Sequence, residues 1–62
     1  MTLEEIKEAV RQNIKVYWVN DNYQVIQGKH EWLIESKKNN HYVGLTNTKG
    51  ELIENGKDFY TK

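Results

Sequence analysis

The chain has no cysteine and no proline, no excess of either charge, and no long apolar run. Each absence excludes something. Without Cys there are no disulfides to staple a small fold, and Cys-based zinc sites are out. Any metal would fall to the two His residues and the carboxylates. Lys and Arg together number nine, as do Asp and Glu, so the formal net charge is zero. Phosphate recognition draws on clustered excess positive charge, so a dedicated binder of nucleic acid or anionic membrane is disfavoured. The same balance removes repulsion between copies and mildly favours association. Nothing approaches the ~20 apolar residues needed to span a bilayer. The opening "MTLEEIKEAVRQN" is acidic and amphipathic where a secretory signal is basic and apolar. The sequence therefore predicts a cytoplasmic protein with no membrane partner.

What is present is enough for one ordered domain, residues 1–62. Aromatics make up 11% of the chain and charged residues 29% with balanced signs, which describes a folded unit with a polar surface and not a disordered tail. A chain this short buries only roughly 60% of the surface it exposes when unfolded. It depends on a compact apolar core or on self-association.

The spacing predicts a helix over residues 2–13. Thr2 is an N-cap and Glu5 completes a capping box, with Glu4 beside it at the positive end of the helix dipole. Leu3, Ile6 and Val10 form one apolar stripe that Ala9 widens, Lys7, Glu8, Arg11 and Gln12 face water, and Asn13 suits a left-handed C-cap. From residue 14 the period becomes two, predicting a β-meander over 14–60. Strands are expected at Val16–Val19, Tyr23–Gln27, 31–36, 41–46 and a short 52–54, with a last pairing from "KDFY" at 57–60. Turns are expected at "NDN", "GKH", "KKNN", "NTKGE" and "NG". The expected fold class is α+β: an N-terminal helix, then a five-stranded antiparallel meander curled into an SH3-like half-barrel.

Register predicts the two faces. A Lys37–Asn40 loop sets Ser36 opposite His41, Ile34 opposite Val43 and Trp32 opposite Leu45, so large apolar residues meet. An Asp21-Asn22 turn sets Trp18 opposite Val25 and Tyr17 opposite Ile26. The core face then holds Val16, Trp18, Tyr23, Val25, Trp32, Ile34, Val43 and Leu45, closed by Phe59. The second face holds Tyr17, Val19, Ile26, Leu33 and Tyr42 among Lys15, Gln24, Glu31 and Glu35. One short helix cannot cover both faces. Either the sheet curls around its Trp face with the helix on an end or part of the outer face, or it stays open and leaves an apolar patch exposed.

Residue sets for chemistry are sparse. His30 and His41 fall near opposite ends of one hairpin, on the order of 20 Å apart at ~3.3 Å per residue, too far to share a metal. There is no nucleophile motif, no phosphate-binding glycine loop, and no third partner for His30-Glu31 or Asp58. The expectation is a non-enzyme with no cofactor and no small-molecule substrate. A single-stranded nucleic-acid site is the alternative, built on Lys29, Lys37, Lys38, His41 and Tyr42. A cation cage from Trp18, Tyr23, Tyr42 or Phe59 would compete with core packing for the same residues.

Three motifs carry a resemblance. Val16, Trp18, Asn20, Tyr23 and Val25 form V-x-W-x-N-x-x-Y-x-V; Gly44, Leu45 and Thr46 form G-L-T; Asp58, Phe59 and Tyr60 form D-F-[FY]. With the preceding helix, this arrangement resembles small uncharacterised proteins of bacteriophages and prophages, although "NTKGE" lacks the Trp and Asp often found after G-L-T. The resemblance spans nearly the whole chain and implies phage or prophage origin, not activity; the expected location is the cytoplasm of the bacterial host cell. The expected function is protein–protein binding or self-association through Tyr17, Val19, Ile26, Leu33 and Tyr42, large apolar side chains with polar tips on the two tyrosines.

Overall fold

The computed structural model describes all residues 1–62. One helix, α1 (Leu3–Arg11), precedes five strands: β1 (Val16–Trp18), β2 (Asn20–Gln27), β3 (Trp32–Ser36), β4 (His41–Gly44) and β5 (Phe59–Thr61). A 3-10 turn at Gly56–Asp58 leads into β5. The sheet is antiparallel, in the order β4-β3-β2-β1-β5, and it is not closed. The first four strands are a meander; the last returns to pair with β1.

The helix starts and stops as its end residues dictate. The Thr2 N–H donates to Glu5 at 2.8 Å and the Glu5 N–H donates to the Thr2 hydroxyl at 3.2 Å, completing the capping box. The Thr2 N–H, and then its hydroxyl contact, hold the Glu5 carboxyl below its usual range. At the other end Asn13 takes φ 64. The Ile14 N–H reaches Ala9 O and the Asn13 N–H reaches Val10 O, so the final carbonyls are satisfied by a Schellman turn.

The core consists of Ile6, Val16, Val25, Ile34, Leu45 and Phe59, with Leu3, Val10, Trp18, Tyr23, Trp32 and Leu52 packed around it. Ile6 is fully buried among Trp-face residues, so α1 covers the core face, not an end or the outer face. Lys7 and Arg11, expected to face water, lie over the Trp32 ring at 5.9 and 6.0 Å from its centroid. Their stems extend the apolar cover while their charges stay wet.

Four local expectations are corrected. The first hairpin pairs Tyr17 with Gln24, not Ile26. At Tyr17 the slip is two residues, which preserves the side it faces; past an irregularity Trp18 pairs with Asn20, not Val25, and keeps to the core side through its packing on Tyr23 and Phe59. The turn is not at Asp21-Asn22; β2 already begins at Asn20, and Val19 alone is the corner, with φ 68. A β-branched residue in that region is strained by about 1–3 kcal/mol. Its N–H is held by Asp58 O at 2.9 Å. Val43, assigned to the core opposite Ile34, is 42% exposed because β4 is an edge and no element lies beyond it. Residues 52–54 are not a strand: only an isolated bridge joins Thr46 to Leu52, and Phe59–Thr61 supplies the fifth strand.

Candidate functional site

The outer sheet face is built around a single row. Tyr60, Tyr17, Gln24, Glu35 and Tyr42 are successive cross-strand partners, one from each strand, running from β5 to β4. Beside it, Ile26, Leu33 and Gly44 are neighbours on β2, β3 and β4. The helix lies on the opposite side, so this face is covered only by the protein's own side chains.

That cover is uneven. Tyr17 is buried: Tyr60 packs on it with ring centroids 5.7 Å apart, and the Lys37 and Lys62 ammonium groups stand 5.3 and 5.4 Å from its ring centroid. Asp21 ties this cluster together, accepting from the Tyr60 hydroxyl at 3.0 Å and pairing with Lys62. The Lys62 ammonium, then the Tyr60 hydroxyl, hold the Asp21 carboxyl below its usual range, and Asp21 in turn raises Lys62. Burial, reinforced by the bond to Asp21, raises Tyr60. At the far end Tyr42 is half-exposed; its hydroxyl donates to Glu35 at 3.2 Å, and that bond raises its pKa.

The expected partner residues are therefore separated. Ile26 and Leu33 are half-buried side by side next to open Tyr42, while Tyr17 is beneath its neighbours and Val19 stands at the β1–β2 corner. The nucleic-acid candidates are also split. Lys29 precedes β3, whereas Lys37, Lys38 and His41 follow it at the other end. Lys37 is drawn over Tyr17, and the Lys38 backbone N–H donates to Asn22. Of the cage candidates, Trp18 packs on Tyr23 and Phe59 at 5.1 and 6.5 Å on the core side, and Tyr42 lies on the other face. The indole N–H of Trp18 is buried without a partner.

Sequence reading missed Asp21 and Asn22 as organisers. Asn22 donates to the Ser36 hydroxyl and accepts from Lys38, clamping β2 to the β3–β4 turn. Their position in a turn-rich tripeptide hid this, because turn composition and long-range capping use the same residue types. The one depression, about 300 Å³ between the end of α1 and β2, is lined by Val10, Asn13, Ile14, Lys15, Gln24, Val25, Ile26 and Gln27. Lys15 is its only ionisable residue, so it offers no acid–base pair. No cluster of three or more His, Asp or Glu side chains is placed to hold a metal, and no helix is long and apolar enough to cross a membrane. Comparison with protein-family models, curated proteins and solved structures finds no match.

Proposed function

We propose that this chain is a small non-enzymatic accessory protein, of phage type and acting in the bacterial cytoplasm, that works by binding protein through its outer sheet face. The observation that supports this is the open end of that face: Ile26, Leu33 and half-exposed Tyr42 stand together on the side the helix leaves free. Tyrosine beside aliphatic side chains gives large contact area at low entropic cost. The other end, around Tyr17, serves as a stiff support.

In the same reading the sheet curls as an SH3-like half-barrel. The register slip between Tyr17 and Trp18 and the left-handed corner at Val19 favour a bend there, and β5 returns to the outer edge of β1.

Capture from bacterial lysate, with and without nuclease, tests the reading when wild type is compared with Ile26→Glu and Tyr42→Glu. The expected result is one protein retained by wild type alone and indifferent to nuclease. Retention that nuclease abolishes would replace this proposal with the single-strand site at Lys37, Lys38 and His41. Equal retention by all three proteins would remove the face from consideration.

A further inference from the structure

Two features of β4 bear on what its open edge can pair with. Exposed sheet edges are normally guarded by charge, proline, brevity or a covering element. Both edges are short, β5 at three residues and β4 at four, but β5 is flanked directly by Asp58 and Lys62, whereas His41–Gly44 carries no Asp, Glu, Lys or Arg. The second feature is Gly44. It is the last residue of the strand, on the outer face opposite Leu33, and the chain bends at Leu45 directly after it. Its φ is not left-handed, and an added Cβ would meet nothing closer than Thr46 O at 3.7 Å. A strand glycine serves a bend or leaves room for another group to approach closely, and at the open edge of β4 it leaves such room.

The free backbone groups of this edge can be located. The Leu45 N–H donates to Trp32 O. Antiparallel bonding alternates along a strand, so the Val43 groups also face β3 while those of Tyr42 and Gly44 face outward. We infer that this edge pairs antiparallel with β4 of a second copy of the chain, about a two-fold axis at Val43.

That register sets Tyr42 opposite Gly44 of the second copy, and the reverse by symmetry. Both are outward-facing residues, so each pair exchanges two backbone hydrogen bonds and no open group is left over. The Tyr42 ring then lies across the space that the missing side chain of Gly44 leaves, on the outer face of a now continuous sheet. On the core side the two exposed Val43 side chains meet. Neighbouring registers do not match. An axis at Tyr42 would set Gly44 against Asn40, which lies outside the strand with φ 54, and an axis at Gly44 would set Tyr42 against Thr46, already bridged to Leu52. The interface is isologous. Zero net charge and an uncharged strand put no like-charge repulsion across the axis.

Through Tyr42 this inference rests on the proposed outer-face reading and names a partner for that end of the face; Ile26, two strands from the edge, takes no part in it. The test is the mass of the full chain in solution across a concentration series, beside amide hydrogen exchange of the same samples. Wild type is expected to reach twice the 7.4 kDa chain mass. Exchange at Tyr42 and Gly44 should slow as the dimer forms, with Val43 unchanged. Val43→Lys is expected to stay monomeric at every concentration with an unaltered circular dichroism spectrum, since Val43 is exposed within one copy and the axis would set the two lysines directly opposite each other. A wild type that is always monomeric overturns the inference. So does a dimer that survives Val43→Lys, or one that leaves Tyr42 and Gly44 unprotected. Ile26→Glu should remain dimeric while losing any lysate partner, so the two readings fail separately.

Discussion

Tyr17 and Tyr42 belong to one row on one face of the same sheet, yet Tyr17 is 8% exposed and Tyr42 is 50% exposed. The difference comes from neighbours. Tyr17 is on an interior strand, flanked by β2 and β5, and receives the Tyr60 ring and two lysine side chains. Tyr42 is on an edge strand and has Glu35 alone as a hydrogen-bond partner. Cover over an outer sheet face is thus made strand by strand. An aromatic side chain becomes core-like where long flexible cations and a second ring can fold over it.

Mutations can break or sharpen that contrast. The benchmark is Phe59→Ala on the core face: removing this buried ring is expected to cost about 3–5 kcal/mol. A domain of this length holds roughly 3–9 kcal/mol in all at 0.05–0.15 kcal/mol per residue, so urea titration should find the variant largely unfolded. Tyr17→Ala should come next, at about 2 kcal/mol for exposing one large buried side chain. Tyr42→Ala should leave the urea midpoint of the dilute, monomeric chain where it is. Equal losses at the two tyrosines would mean that the cover over Tyr17 contributes nothing.

The smallest expected effect is in pH. The depressed Asp21 contributes stability that is present above the ordinary carboxylate range and lost as pH falls through its lowered value. Raised Tyr60 and Lys62 contribute stability that is present at neutral pH and lost as pH rises through their raised values. Asp21 and Lys62 are solvent-exposed and Tyr60 partly so, and the effect is small and screened by salt. Thermal midpoints measured against pH should show Asp21→Asn with a shallower acid limb, the remainder belonging to Glu5 in the capping box. Tyr42 is raised by Glu35, so Tyr42→Phe should alter only the alkaline limb.

Much of the local structure was legible in the sequence. Thr2 and Glu5 announce the start of α1 and Asn13 its end, because caps act within one helical turn. The β3–β4 register, Ser36 with His41 through Leu33 with Gly44, follows from a four-residue loop and the matching of apolar residues. The first hairpin did not yield to the same logic. Its composition signals a turn at Asp21-Asn22, but the corner is Val19, a residue no local rule would place at φ 68. The Val19 N–H is bonded to Asp58, distant in sequence, and this contact exists only after β5 has docked. The candidate surface was half legible for the same reason. Alternation put Tyr17 and Tyr42 on one face, and nothing in it showed that Tyr60, Lys37 and Lys62 would close over the first.

The sequence by itself determined the helix, the period-two strands and which side chains share a face, since propensity, capping and alternation act over a few residues. Tertiary structure alone decided which short apolar segment became the fifth strand. Residues 52–54 and 59–61 are alike in local pattern, but only the second fills the free edge of β1. It also decided that α1 covers the Trp face and that Tyr17 is inside while Tyr42 is out. Each of these outcomes depends on segments far apart in the chain competing for the same surface.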